Sequence, residues 1–313
     1  MKLTVALCTY KRYDLLRLAI ESLTRQTLPQ DQFEVLVVDN SPDRDGSGRE
    51  QQQYEHVGNL RWVHEAIPGL SNARNVAMRL ADAPLIAYLD DDAIADPVWA
   101  ESLCRTFAEF GETCHVIGGK VRPLWSEPRP VWLADEMLGY VSVVDHGDEA
   151  RFLTDQEWVA GANIAYRTEV LRRFGGFDVS LGRVGSGSSL MSNEEVALTD
   201  RIKAHGGRVV YDPIAAVDHL VEAARLRQSW FRRRVAWQAV SDRVRGAVSS
   251  EAVDVERAWN DIKDFFLHCP PSERTVRALA LQQNDPGMFR WQLATIYNFT
   301  SVMLSGMHEV DDE

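Results

Sequence analysis

The apolar positions of the chain fall into short continuous runs separated by helical stripes. "LTVALCTYKR" opens apolar or β-branched almost throughout, which predicts a strand, and ends in polar residues. Leu15, Leu16, Ala19, Ile20 and Leu23 then recur at helical spacing within "YDLLRLAIESLTRQT". "FEVLVVDNSPD" is a second continuous run, closed by Asp39, Asn40 and a turn at Pro42, and "NLRWVHE" predicts a third strand. "GLSNARNVAMRLADA" reads as a helix with Ser71 or Asn72 near its start. A fourth strand follows in "LIAYLDDDAIADP", and Pro97 opens a helix over "PVWAESLCRTFAEFG".

Strands that are apolar throughout, rather than alternating, are buried on both faces. The pattern predicts a mostly parallel sheet wrapped by helices. Ligands of such sheets bind beyond the carboxyl ends of the strands. Three strand ends carry polar clusters: Thr9-Tyr10, Asp39-Asn40 and Asp90-Asp91-Asp92. In parallel strands all three converge on one crevice.

The later chain is more mixed. "HVIGGKVRP" predicts a strand, and 122–132 an irregular segment rich in Pro and Trp. "EWVAGANIAYR" is strand-like, and "TEVLRRFGGFD" is a short helix stopped by Gly175-Gly176. "LGRVGSGSSLMS" is a flexible glycine–serine loop. "NEEVALTDRIKAHGG" is a helix, and "RVVYDPIAAVDHLV" a strand pair around Pro213. Near Glu222 the composition shifts to a basic, aromatic helix, "EAARLRQSWFRRRVAWQAVSDRVRGAV". Further helices follow, broken at "HCPPSER". The expected division is 1–222 and 223–313.

Composition narrows the function. A chain of 313 residues holds one large α/β domain with a helical appendage. A net charge of −12 argues against nonspecific nucleic-acid binding. Cys8, Cys104, Cys114 and Cys269 form no CxxC pair and no zinc spacing, so they read as reduced thiols of a cytoplasmic protein. The first apolar run is too short for a signal peptide. No run approaches the ~20 residues of a membrane span.

The residues with chemistry are few. Asp90, Asp91 and Asp92 repel one another, and solvent, helix N-termini or a divalent cation must compensate. Mg²⁺ or Mn²⁺ held by one or two carboxylates and completed by phosphate oxygens fits such a cluster. Glu195 is in register with Leu198 and Ile202, which places it on the inward face of its helix. The helix N-terminus would keep it ionised. It is a candidate general base, with Glu194 as the alternative. The other reading of Ser192 and Glu195 is a capping box. His219, at a strand end, is either a core histidine or a metal ligand. The basic helix with Trp230, Phe231 and Trp237 is either a packing helix with a solvated face or an interfacial helix meeting anionic lipid.

Taken together these residues resemble an inverting family 2 glycosyltransferase of GT-A fold. The likeness covers roughly residues 1 to 222. It rests on "VALCTYKRYDLLRLAIESLTRQT", "EVLVVDNSPD", "GLSNARNVAM", "LIAYLDDDA", "WVAGANIAYRTEVLRRFGGFD" and "NEEVALTDRI", in the family's order and spacing. The resemblance implies a nucleotide-sugar donor, UDP-linked by preference, and a sugar or lipid-linked acceptor. It assigns Thr9, Tyr10 and Asp39 to the base and ribose, and Arg74 to nucleotide or phosphate. Asp90 would meet ribose, Asp91 would stand beside it on the donor side, and Asp92 and His219 would hold the metal. Gly161, Ala162 and Asn163 would line the acceptor side. The family usually has Glu-Asp where this chain has Glu194-Glu195, so a longer side chain stands at the base position. The other function class is a nucleotide-sugar binding protein of the same fold without turnover. A sugar-phosphate nucleotidyltransferase would need a Gly-rich loop near the N-terminus, and a glycoside hydrolase would not need the cluster at Thr9 and Asp39. The implied setting is polysaccharide or glycolipid synthesis, in the cytoplasm or at the inner face of the membrane. The C-terminal helices are expected to shape the acceptor site, touch the membrane or form a homodimer.

Overall fold

A computed structural model of the chain describes residues 1–42, 44–185, 189–246 and 254–306. Positions 43 and 186–188, which belong to the expected Pro42 turn and glycine–serine loop, lie outside the described residues. The chain divides into two units. The first comprises Met1–Leu124, Ser142–Gly187 and Glu194–Leu220, and the second Trp125–Val141, Ser188–Asn193 and Val221–Glu313.

The first unit begins with β1 (Leu3–Thr9), α1 (Tyr13–Thr24), β2 (Phe33–Asp39), α2 (Arg44–Gln53) and β3 (Leu60–His64). It continues through α3 (Leu70–Leu80), β4 (Leu85–Asp90), β5 (Ala93–Ala95), α4 (Trp99–Glu109) and β6 (Cys114–Trp125). Then come β7 (Arg151–Phe152), β8 (Asn163–Arg167), α5 (Thr168–Arg173), α6 (Glu194–Ala204) and β9 (Arg208–Val221). The strands form one mixed sheet in the order β3-β2-β1-β4-β8-β6-β9-β5, with β7 against β9. β1 to β4 are parallel, whereas β8 runs against β4 and β6 against β8.

The continuous apolar runs have the cause the sequence suggested. Leu3, Val5, Leu7, Val35, Val37, Ala87 and Leu89 pack on one face with α1 and α4 residues such as Leu16, Ile20 and Leu103. Ala6, Leu36, Val38, Ile86 and Tyr88 pack on the other with Ala73 and Ala77 of α3 and Leu198 and Ile202 of α6. Each strand therefore supplies two cores, and neither of its faces meets water.

Two elements differ from the sequence reading. α2, "RDGSGREQQQ", was not expected, because it carries two glycines and no apolar stripe. The expected strand pair around Pro213 is one strand, β9, of 14 residues. β9 pairs β7 before the proline and β5 after it. Asp212 bridges the gap: its Oδ1 accepts from the N–H of Ile214 at 2.9 Å, and its Oδ2 accepts from Ser102 Oγ at 2.7 Å and Thr106 Oγ1 at 2.8 Å.

Where the sheet turns antiparallel, backbones approach closely. A Cβ at Gly119 would sit 1.8 Å from the Ala215 carbonyl oxygen and 2.2 Å from Asn163 Nδ2. A backbone atom cannot swing aside, so Gly119→Ala is expected to destabilise the fold by ~3 kcal/mol or more. Urea unfolding followed by circular dichroism checks this, and an unchanged midpoint would contradict it.

The second unit holds α7 (Gln228–Gly246), α8 (Val255–His268) and α9 (Pro286–Gly306). Trp132 stands edge-on to Phe231 of α7 at 5.3 Å and to Phe289 of α9 at 4.9 Å. Phe231 and Phe289 are fully buried, so the aromatic side of α7 is a packing face. Arg232 is tied into that packing. It donates to Gln292 Oε1 at 3.0 Å, Gln228 Oε1 at 3.0 Å and the Leu281 carbonyl. Among the described residues no helix is long and apolar enough to cross a membrane.

Candidate active site

Register brings the polar strand ends together. On β1, Thr9 lies beside Asp39 of β2, and Cys8 lies beside Asp90 of β4. Each apolar run ends at the same level, so the clusters that follow meet at one edge, as expected of parallel strands.

Asp39 is fully buried; its Oδ1 accepts from Ser41 N at 3.0 Å and its Oδ2 from Tyr13 Oη at 2.9 Å. Asn40 fastens the next loop, donating to the Glu65 and Ile67 carbonyls and accepting from Gly69 N. Tyr10 is partly exposed, and a Cβ built at Gly185 would stand 3.3 Å from its hydroxyl.

The aspartate triplet is not left to repel. Asp91 accepts from Thr9 Oγ1 at 2.8 Å and from Arg12 Nη1 at 2.9 Å. Asp92 accepts from Arg12 Nη2 at 2.8 Å, and its Oδ1 is 3.2 Å from His219 Nε2. Sequence reasoning missed Arg12. The available signal was a basic residue directly after a strand that lies parallel to the one ending in Asp90. Burial pushes the Asp91 carboxyl up to about 7; Arg12 opposes this and Asp92 adds to it. Burial likewise pushes the Cys8 thiol up to about 12, which removes it as a nucleophile at neutral pH.

A second cluster lies on the other side of Asp90. Arg74 of α3 is almost completely buried. Its Nη1 donates to Glu194 Oε1 at 2.8 Å, and its Nη2 donates to Asp90 Oδ1 at 3.2 Å and the Gly161 carbonyl at 3.0 Å. Burial opposes the charge of Arg74, but Glu194, Asp90 and Glu195 outweigh it and hold its pKa above the ordinary value. Gly161 is required here, since a Cβ would come within 2.9 Å of the guanidinium. Its N–H donates to Glu195 Oε1 at 3.2 Å. Ala162 is buried, and its carbonyl accepts from Asp90 N at 3.3 Å.

Asn163 has a different employment. Its Oδ1 accepts from Trp99 Nε1 at 2.8 Å, and its Nδ2 donates to the carbonyls of Ala215 at 2.8 Å and Lys120 at 3.1 Å. The amide knits three strands and α4 together.

Glu194 and Glu195 open α6. Because α6 starts at Glu194, Ser192 is not its N-cap and the capping-box reading does not hold; Ser192 N donates to Ser241 Oγ. The two glutamates differ in freedom. Glu194 is pinned by Arg74, while the Glu195 carboxylate accepts from backbone N–H groups, that of Gly161 at 3.2 Å and its own. Burial, then the Glu194 charge, push Glu195 up to about 7, with Arg74 opposing. The helix N-terminus does not keep it fully ionised, as the sequence suggested, because burial and a like charge outweigh that dipole. A carboxyl titrating near neutrality is well matched to accepting a proton.

Asp90, Asp92 and His219 each present one ligand atom, and the three atoms lie within 4.8 Å of one another. Donors around one Mg²⁺ or Mn²⁺ at ~2.1 Å stand about 3 to 4.3 Å apart, so a small contraction suffices. Two carboxylates and an imidazole suit Mn²⁺. His219 Nδ1 is buried without a partner. The residues present thus fit a divalent ion.

Comparison with known proteins bears on the family and the fold. The family described as Glycosyl transferase family 2 matches residues 4–172. The match stops before Glu194, Glu195 and His219. Over 97% of its length the chain is 28% identical to the glucosyl-dolichyl phosphate glucuronosyltransferase of Haloferax volcanii, covering 94% of that protein. It is 24% identical to the succinoglycan biosynthesis protein ExoM of Rhizobium meliloti, over 83% of this chain and 79% of the other. Among solved structures, the mannosyltransferase PcManGT from Pyrobaculum calidifontis, in complex with GDP-Man and Mn²⁺, superposes with a TM-score of 0.63 at 18% identity, covering 97% and 87% of the two chains. S. aureus TarS 1–349 in complex with UDP-GlcNAc gives 0.57 at 16% identity, covering 98% and 92%.

Proposed function

The chain belongs to glycosyl transferase family 2 and has the GT-A fold, and from that premise we propose that it is a metal-dependent, inverting enzyme. It would move a sugar from a nucleoside-diphosphate sugar to an acceptor hydroxyl. The observation that carries this reading is the near-neutral Glu195 carboxyl, joined through Gly161, Arg74 and Asp90 to the cluster with Asp92 and His219.

Thr9, Tyr10 and Asp39 would receive the base and ribose. A carboxylate accepts an imino N–H, a group that uracil and guanine share. TarS holds UDP-GlcNAc and PcManGT holds GDP-Man, so UDP is the first donor base to test and GDP the second. Asp92, His219 and Asp90 would hold Mn²⁺ or Mg²⁺, which when bound supplies charge stabilisation for the departing diphosphate. Glu195 takes the acceptor hydroxyl proton as the oxygen attacks the anomeric carbon from the face opposite the leaving group. The bond to the diphosphate breaks as the new glycosidic bond forms, with inversion. Arg74 holds Glu194 in an ion pair at 2.8 Å, which leaves Glu195 as the carboxylate to take the proton. The Gly161 and Ala162 backbone would border the acceptor. The bonded Asn163 amide would hold that border in shape.

The helical part, 223–313, would meet the lipid of a lipid-linked acceptor. The Haloferax relative is named for glucosyl-dolichyl phosphate, a lipid-linked sugar, which supports a lipid-linked acceptor and contact with an anionic membrane. With Arg232 engaged inside the unit, such contact would use the exposed Arg233. Flotation with anionic vesicles at low salt should recover a salt-sensitive fraction of the protein, and less of it after Arg233→Glu. Full recovery in the soluble fraction would remove the membrane from the proposal.

A base titrating near 7 fixes the direction of the pH response. Turnover per unit enzyme should climb about tenfold per pH unit below 7 and level off above it. The general test is a thermal-shift screen of UDP-, GDP- and dTDP-sugars with Mn²⁺, Mg²⁺ or EDTA. One nucleotide giving a metal-dependent rise supports the reading. No rise with any of them sinks it.

A further inference from the structure

The aspartate pair already carries a cation of the protein's own. Asp91 and Asp92 are both nearly buried, and every one of their four carboxylate oxygens faces a partner. Two of those contacts come from one guanidinium. Arg12 Nη1 meets Asp91 at 2.9 Å and Nη2 meets Asp92 at 2.8 Å, a fork that bridges two separate carboxylates. The backbone is built to present it. Lys11 stands at φ +57°, a left-handed conformation uncommon for a non-glycine residue, and Lys11 N donates to Ser41 Oγ at 2.9 Å. This turn leads the chain from Thr9 into the start of α1 with Arg12 at its N-cap position. A cation at a helix N-terminus is electrostatically misplaced as a cap, so the contact with the aspartates is what favours Arg12 there. Its side chain keeps 32% of its surface exposed, whereas the carboxylates it bridges keep 6% and 3%. It is therefore the member of the trio that can leave without unpacking the core.

We propose that Arg12 is a resident counter-cation of Asp91 and Asp92 that makes metal capture conditional on the donor. It is a positioning residue, and the inference rests on the assignment of Asp92 to the metal. In the protein without donor, the guanidinium neutralises the pair and repels a divalent ion from the oxygens of Asp92. A nucleoside diphosphate offers two charged phosphates, and guanidinium forks pair with phosphate as readily as with carboxylate. When the diphosphate arrives, Arg12 transfers to it and Asp92 Oδ2 becomes available to the ion. Diphosphate and metal then enter together, each lowering the cost of the other, which is positive coupling between two ligands. The device spares the pair from standing uncompensated between turnovers.

The sign of the effect on metal affinity distinguishes this from a structural prop. A prop that holds Asp92 in its binding position weakens metal binding when removed, whereas a competing counter-cation strengthens it. Free Mn²⁺ is measured by its paramagnetic resonance signal for wild type alone, wild type with UDP or GDP, Arg12→Gln alone and Asp92→Asn with the same nucleotide. Wild type alone is expected to bind Mn²⁺ weakly, and nucleotide to tighten it at least tenfold. Arg12→Gln without nucleotide is expected to bind at least tenfold more tightly than wild type without nucleotide. Equal or weaker binding by Arg12→Gln overturns the inference. Should that variant fail to fold, Arg12→Lys decides: its shorter side chain and single nitrogen cannot reproduce the guanidinium's two-nitrogen fork across both carboxylates, so binding at least threefold tighter than wild type is expected, and equal or weaker binding again overturns it. If Asp92→Asn with nucleotide matches wild type with nucleotide, the metal assignment itself falls, which is a different failure.

Discussion

Glu195→Gln is expected to keep donor affinity within a factor of about two and to lose turnover by ~10²–10⁴, the range a positioned general base supplies. The amide is isosteric and can still accept from the Gly161 N–H, which now stands 3.2 Å from Oε1. What it cannot do is take a proton. The same substitution should raise stability, and the sign follows from linkage. Glu195 titrates near 7 in the folded protein and near 4.3 unfolded, so between those values the folded state binds more protons. Stability contributed by this group therefore falls as pH rises through that window and stays low above it. Removing the charge recovers on the order of 2–3 kcal/mol at pH 8 and little at pH 4. Radiolabelled-sugar transfer and thermal unfolding at both pH values test the pair of effects. A variant that keeps full turnover would remove Glu195 as the base. Glu194→Gln separates the two glutamates: it breaks the 2.8 Å pair with a buried arginine, so it should lower stability. If Glu194→Gln is the variant that folds normally and loses turnover, the assignment is reversed.

Much of the fold was legible because a parallel sheet writes continuous apolar runs, and β1, β2 and β4 are such runs. Their common endpoint made the convergence of Thr9, Asp39 and Asp90 readable before any coordinates. What stayed hidden depended on partners distant in sequence. α2 lacks an apolar stripe because most of its surface meets water. Pro213 looked like a break because Asp212, which satisfies the next N–H groups, cannot be seen to do so from its neighbours in sequence. Asn163 looked like a lining residue, yet its amide ties Trp99, Lys120 and Ala215 together, contacts 64, 43 and 52 residues away. The 7-ward shift of Glu195 was unreadable for the same reason. It comes from burial and from the competition of Glu194 with Arg74, 120 residues apart.

In the proposed mechanism Arg74 would link the donor side of the site to the acceptor side. A single guanidinium donates to Asp90, to the Gly161 carbonyl and to Glu194, next to the proposed base Glu195. Its face also lies over Phe177 at 5.4 Å and Tyr88 at 5.8 Å, so the side chain has little freedom to reorient. On the proposed mechanism, the distance between the metal-side and base-side groups would be set by one rigid group rather than by loops.

The second large effect is expected from Asp92→Asn, which should abolish the metal-dependent part of donor binding. The three atoms that would face the metal come from Asp90, Asp92 and His219, and Asp92 is the member that touches both His219 and Arg12. Losing a charged oxygen ligand of a divalent ion should weaken metal affinity by at least about 100-fold, since even partners one step further from a metal contribute 10–100-fold. Asn can still accept one hydrogen bond from Arg12 or His219, so the fold should survive. The neighbouring substitution Asp91→Asn is the control. Asp91 bonds Thr9 and Arg12 and lies outside the metal-facing trio, so it should lose stability or donor orientation without erasing the response to metal. Calorimetry of the best nucleotide with Mn²⁺ and with EDTA gives the decisive comparison. In wild type the two titrations should differ strongly, in Asp92→Asn they should coincide, and in Asp91→Asn they should still differ. A wild-type-like gap in Asp92→Asn would mean that the ion is held elsewhere. The three clustered aspartates would then owe their place to Arg12 and Thr9 alone.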